Sequence, residues 1–162
     1  MNRIYSINET YIKTIDEKDL FNFFKEYVLK YKKPINQTKE SVLLKSMGFL
    51  KNKAKTLEDI WNNAQYIINE KIEISADDKK LIDDLSKKII NDFISEYEKL
   101  SSLSREILEP IIKSLIDKHK TNFKGVGQPL RIALVGSRFG PGLYDVILSL
   151  DKTEVVKRLK QI

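Results

Sequence analysis

An all-α fold of two consecutive small helical bundles is predicted by three features of this 162-residue sequence. Apolar residues recur at three- and four-residue spacing through almost every segment before residue 120. Asp, Thr or Ser stands where most of those segments begin, the position at which a short polar side chain satisfies the free N–H groups of a helix start. No segment offers itself as a sheet partner.

Taken in order, Asp16 caps a helix in which Leu20, Phe23, Phe24, Tyr27, Val28 and Tyr31 share a face, ending at Lys32 and Lys33 before Pro34. Thr38 caps a second helix, with Val42, Leu43, Leu44, Met47 and Leu50 inward, interrupted near Gly48 and closing in Lys51, Lys53 and Lys55, where cations suit the dipole. Thr56-Leu57-Glu58-Asp59 opens a third, which buries Ile60, Trp61, Ala64, Ile67 and Ile68. Residues 70–74 alternate charge and isoleucine like an extended connector, and the boundary between a bundle over 1–70 and a second over 75–162 is placed there.

Ser75-Ala76-Asp77-Asp78 then caps one long helix to about Leu100, its seam made by Leu81, Leu85, Ile89, Phe93 and Tyr97. Ser104 caps the next, where Pro110 demands a late start or a kink. The last stretch, through Val155, Val156, Leu159 and Ile162, is amphipathic and helical. The aromatics and stripes of both bundles read as core, not as binding faces.

Composition narrows the chemistry. There is no cysteine, so disulfides and thiolate metal sites are excluded, and a single histidine, His119, forms no imidazole cluster. No apolar run approaches the roughly 20 residues needed to span a bilayer, and the N-terminus lacks a signal-peptide core, so a soluble, cytoplasmic chain with no membrane partner is expected. Lys+Arg 29 against Asp+Glu 23 gives a net charge of +6, which permits a polyanionic partner such as RNA, although a lysine-rich background accounts for the same excess. The acidic pairs Asp77-Asp78 and Asp83-Asp84 are explained by a solvated helix face, and they receive no catalytic role.

The most telling segment is Gln128-Pro129-Leu130-Arg131-Ile132-Ala133-Leu134-Val135-Gly136, followed by a basic loop and Pro141-Gly142-Leu143-Tyr144-Asp145-Val146. As a strand with Gly136, Gly140 and Gly142 it would start a phosphate-binding α/β domain. The glycine spacing matches neither nucleotide fingerprint, and too few residues follow for a βαβ unit of roughly 30 residues. As helices, Pro129 and Pro141 each sit at N1, with Gly127 or Gln128 as the first N-cap and Gly136 as the stop. Arg131 is then fixed by its helix, while Arg138 rides on the connecting loop and is expected to be mobile.

Those residues, with Lys157-Arg158-Leu159, resemble the C-terminal end of bacterial glutamyl-tRNA synthetases. Ile7-Asn8-Glu9-Thr10-Tyr11-Ile12-Lys13 resembles the segment entering that family's first anticodon-side bundle, and Lys53-Ala54-Lys55-Thr56-Leu57 its basic turn before a helix. Between about 70 and 103 the likeness is one of helical pattern. The resemblance implies two helical bundles that bind the anticodon loop of glutamate tRNA within a class I synthetase. The family's ATP-site signatures, His-Ile-Gly-His-like and Lys-Met-Ser-Lys-Ser-like, do not occur in this sequence. It therefore implies an anticodon-binding part that begins near Met1, is monomeric, needs no cofactor of its own and leaves ATP and magnesium to a catalytic domain N-terminal to it.

By the same resemblance Arg131 is the arginine that contacts anticodon bases and Leu143 the leucine lining the pocket of the third. Gly140 stands where a threonine often precedes the proline, which removes a side-chain hydrogen bond. Lys51 and Lys53 align with the turn where discriminating enzymes carry an arginine, and lysine lacks its bidentate fork, so glutamine tRNA remains a partner beside glutamate tRNA. Phosphate contacts fall to Lys120, Lys124, Arg138, Lys51, Lys53 and Lys55. The chemistry agrees: unpaired bases are read by hydrogen bonds to their edges in pockets, with cations along the backbone. A helical protein-interaction domain with incidental basic charge is the competing expectation.

Overall fold

The computed structural model describes residues 9–69, 71–139 and 141–162, apart from the side chains of Glu9, Thr10 and Lys53. Ile7, Asn8 and Gly140 lie outside the described residues. Every regular element among the described residues is helical, as the periodicity predicts, and none of those helices is long and apolar enough to cross a membrane. The chain divides into two compact units, Met1–Glu70 and Lys71–Ile162.

The first unit contains α1 (Glu9–Thr14), α2 (Glu17–Tyr31), α3 (Glu40–Leu50), α4 (Leu57–Asn63) and α5 (Gln65–Ile68). Asp16 and Thr56 cap α2 and α4 through their side-chain oxygens. Leu20, Phe24 and Val28 of α2 are buried with Leu43, Met47 and Leu50 of α3 and Leu57 and Ile60 of α4, and α2 packs on both other helices. The Tyr27 hydroxyl donates to the Glu58 carboxylate, which Lys32 Nζ also meets at 2.9 Å, tying the end of α2 to the start of α4. Burial, and then that carboxylate, push the Tyr27 phenol up to about 12.

Two expectations for this unit are corrected. Asn36, not Thr38, provides the cap: its Oδ1 accepts the Thr38 N–H at 3.1 Å and starts a 3₁₀ turn that feeds α3. Nor is α3 interrupted at Gly48; a glycine inside a helix costs only about 1 kcal/mol relative to alanine, and here a Cβ would stand 2.6 Å from the Glu17 carboxylate.

In the second unit follow α6 (Ala76–Lys79), α7 (Asp84–Glu98), α8 (Arg105–Lys118), α9 (Phe123–Val135), α10 (Leu143–Ser149) and α11 (Lys152–Lys160). The single long helix expected from Ser75 is two. Asp83 accepts the Ser86 N–H at 2.8 Å, and this second cap inside one periodic stretch restarts the helix. Ser104 caps α8, which runs through Pro110 although the ring removes the hydrogen bond to the carbonyl four residues back and crowds that carbonyl. Beyond its C-cap, His119, Lys120 takes a left-handed φ of 51° and the Thr121 N–H returns to Ile116 O at 3.0 Å, the bond of a Schellman ending.

Helices α7, α8, α9 and α11 enclose the core, with Phe93, Tyr97, Leu108, Ile112, Leu130, Leu134, Val155 and Leu159 buried. Arg158 is buried too: it donates to Glu154 at 2.8 Å and through Nη1 to Leu134 O at 2.7 Å, satisfying a carbonyl in the last turn of α9 with a cation. Between α7 and α8, Asp92 Oδ2 lies 2.9 Å from Lys118 Nζ and 2.8 Å from His119 Nε2.

Gly136 fixes where α9 stops. Its φ is +90°, and a Cβ would lie 2.5 Å from Ile72 Cγ2 and 2.8 Å from Glu73 O of the connector. Gly136→Ala combines a left-handed alanine, about 1–2 kcal/mol, with a clash of similar size, so unfolding in urea followed by circular dichroism should show a loss of about 2 kcal/mol or more. A variant within 0.5 kcal/mol of the parent, on the order of the usual surface substitution, would refute this account of the close approach.

A second expected outcome concerns acid. Lys118, and then His119, hold the Asp92 carboxyl below its ordinary 3.8. A depressed carboxylate contributes stability that is full above the unfolded pKa and is lost as pH falls through the folded one. Below about pH 4 the parent should therefore lose stability faster than Asp92→Asn; parallel acid titrations of denaturation midpoint check this.

Candidate functional site

Helix α9 starts upstream of where the sequence places it. Asn122 Oδ1 accepts the Gly125 N–H at 2.8 Å, so neither Gly127 nor Gln128 is the N-cap, and Pro129 lies inside the helix instead of at N1. A side-chain cap outcompetes a local proline preference, because the proline forfeits one hydrogen bond while Asn122 satisfies an otherwise free donor. The register that results buries Val126, Pro129, Leu130, Ala133 and Leu134. It sets Lys124, Gln128 and Arg131 on one face, at spacings of four and three residues.

Past Gly136 the chain turns back over that face. Arg131 Nη1 donates to the Arg138 carbonyl at 3.2 Å, while its Nε is buried with no acceptor among the described residues. The Phe139 N–H donates to Ser137 Oγ at 3.1 Å. Arg138 is not the mobile residue expected: its Nε lies 3.1 Å from Asp78 Oδ1, close enough for an ion pair although the N–H does not align as a hydrogen bond. Asp78 in turn is not solvated. It is only 6% exposed, its other oxygen accepts the Ser75 hydroxyl at 3.1 Å, and its N–H donates to Ser75 Oγ, so the cap of α6 orients the carboxylate that holds Arg138.

The result is an open cavity of about 440 Å³ lined by Phe123, Lys124, Gly127, Gln128, Arg131, Arg138 and Phe139. Among the described residues three cations face it and no carboxylate lines it. Two phenylalanines on its wall are exposed, Phe123 at 46% and Phe139 at 72%. The Arg138 guanidinium lies over the Phe139 ring, 5.3 Å from its centroid. Phe123 is braced by Tyr144 at 6.1 Å, and Tyr144 by the Arg105 guanidinium at 4.9 Å. Such a surface can attract an anion, donate hydrogen bonds to an acceptor edge and offer aromatic faces.

Of the residues singled out in the sequence, Lys124, Arg131 and Arg138 are brought together here. Leu143 is buried behind the cavity floor: it does not line the space, but a Cβ on Gly127 would lie 3.5 Å from its Cδ2. Pro141 precedes the N-cap of α10, Gly142, and is not at N1. Gly140 and the side chain of Lys53 lie outside the described residues. Lys51 belongs to the first unit, where its ammonium donates to Ile15 O at 3.2 Å just beyond α1, and Lys55 is exposed nearby in the chain. Sequence reasoning missed Phe123, Phe139 and Asp78. Two phenylalanines flanking a basic segment are a signal for the first two; nothing local marks Asp78 as the partner of a distant arginine.

The comparisons with known proteins agree with one another. Residues 18–162 match the family model described as an anticodon binding domain. A glutamate–tRNA ligase of Pelagibacter ubique is 54% identical over 159 residues, covering 98% of this chain and 34% of the relative. One from Syntrophus aciditrophicus is 31% identical over 160 residues, covering 96% of this chain and 33% of its own length. The chain thus spans about a third of the length of the curated relatives it matches. Among solved structures, a glutamate tRNA ligase from Elizabethkingia meningosepticum in complex with its amino acid superposes with a TM-score of 0.77 at 21% identity, over 95% of this chain and 30% of that one. That last likeness concerns the fold.

The Asp78–Arg138 pair should couple measurably. In a double-mutant cycle with Asp78→Ala and Arg138→Ala, read by urea denaturation, a coupling of about 1 kcal/mol is expected, less than for a fully buried pair because Arg138 is partly solvated. Strictly additive losses would show that the carboxylate does not hold the loop.

Proposed function

As this chain belongs to the anticodon-binding domain family, we propose that it holds the anticodon loop of a tRNA and reads its bases, as part of a glutamate–tRNA ligase. The observation that carries this reading is Arg131, whose Nε has no acceptor among the described residues and whose side chain lines a cavity with two further cations and, among those residues, no carboxylate. A buried guanidinium N–H without a partner is completed by an acceptor on a base edge. Its anchored Nη1 restricts the side chain before the ligand arrives, which lowers the entropy lost on binding.

In this reading Arg131 reads an edge. Arg138 and Lys124 in the second unit, and Lys51 and Lys53 in the first, meet phosphates. Leu143 sets the floor through Gly127, and Gly140, where a threonine would hydrogen-bond, offers no side-chain donor or acceptor. The tRNA is the one for glutamate, and glutamine tRNA is accepted with it for want of an arginine fork at Lys51 and Lys53. Glutamylation belongs to a catalytic domain attached to this region, which binds ATP and magnesium; the region alone binds without catalysis. It works in the cytoplasm as a monomer.

In a fluorescence titration at low salt, Arg131→Ala should lose about 1–3 kcal/mol on tRNA with a glutamate anticodon and little on tRNA whose anticodon loop is scrambled. Equal losses on both RNAs would remove base reading from Arg131. Affinity should also fall steeply between about 50 and 200 mM salt as counterions are released. A partner held mainly by apolar contact, the rival reading, would show almost no such slope.

A further inference from the structure

Burial among the described residues does not account for the position of Phe139. It is 72% exposed, the most exposed large apolar side chain among the described residues, and the two residues before it are tied down. The Ser137 hydroxyl accepts its N–H at 3.1 Å, the Arg138 carbonyl accepts from Arg131 at 3.2 Å, and the Arg138 side chain is paired with Asp78. A ring left in water beside a backbone anchored in this way gains little from burial within the chain.

We propose that Phe139 is a stacking platform for one unpaired base of the RNA loop, with the Arg138 guanidinium over its opposite face. The inference rests on the anticodon-loop reading above and adds to it a residue that takes the π-face of a base, where Arg131 takes an edge. Three observations combine. The ring shares a cavity wall with Lys124, Arg131 and Arg138, so the occupant is anionic or borders an anion. Arg138 sits 5.3 Å from the ring centroid, and a cation over one face leaves the other for a planar partner. The exposure keeps the ring accessible without rearrangement, and every base has a π-face to place there. A flat aromatic surface with cations around it, and no acidic side chain among the described lining residues, favours a nucleic acid over an apolar peptide.

The test is a fluorescence anisotropy titration of the 162-residue chain with a labelled anticodon stem–loop at about 50 mM salt. Phe139→Ala and Phe139→Leu should each weaken binding about tenfold, while Phe139→Trp should bind within about twofold of the parent, because stacking requires a ring and not merely an apolar group. Thermal melts should be unchanged in all three, since the side chain is exposed. A second series replaces each loop base in turn by an abasic nucleotide; at one position the difference between parent and Phe139→Ala should vanish. Parent-like binding by Phe139→Ala, parent-like binding by Phe139→Leu, or a difference that survives every abasic replacement would each overturn the platform while leaving the anticodon-loop reading intact. Failure of the unaltered chain to prefer the stem–loop over an unstructured RNA of equal length would overturn both.

Discussion

The carboxylate of Asp78 is the constraint on which the candidate site depends. A four-residue helix has almost no intrinsic stability, and α6 exists here to present one side chain: Ser75 caps it and turns Asp78 toward Arg138. With that pair formed, the loop after α9 has a fixed height over the helix face, and the Arg138 carbonyl is where Arg131 can reach it. Remove the charge at 78 and the loop loses the ion pair, keeping a serine turn and one long hydrogen bond among its described polar contacts. The polar contact is therefore structural in its energetics and functional in its effect, because it shapes a cavity whose cations are otherwise separate surface charges.

A second layer of constraint comes from the backbone. Gly136 lets the connector pass within contact of the end of α9, and Arg158 from α11 satisfies the Leu134 carbonyl two residues earlier. Both act on the same helix terminus from different parts of the unit. They leave α9 little freedom to unwind from its C-terminal end, and Asn122 closes the other. The face bearing Lys124, Gln128 and Arg131 is thus held on a rigid element, which is the condition for discriminating one base edge from another.

Helix existence was legible in the sequence wherever a period of three to four coincided with a capping side chain, as at Asp16, Thr56 and Ser104. It failed where two local signals competed. Pro129 reads as a helix start only if Asn122 is overlooked, and Ser75 and Asp83 both offer caps within one apolar stripe, so a single long helix and a broken one share the same pattern. Arg131, Arg138 and Lys124 could be picked out as candidates, but their convergence could not, because it depends on the return of the loop. Asp78 illustrates the limit most clearly: adjacent to another aspartate on a short amphipathic turn, it carries every mark of a solvated charge. Its burial follows from a pairing that no periodicity encodes.

The exposed ring of Phe139 has a colloidal consequence as well. An apolar side chain in water ordinarily invites a second molecule to cover it. Here it is set among arginine and lysine side chains on a chain whose net charge is +6. Two copies approaching ring to ring would bring these cations against one another, and the repulsion opposes the contact before the rings can meet. A polyanion meets no such barrier. The same charges that would draw in a nucleic acid thus oppose a ring-to-ring contact between two copies of the chain.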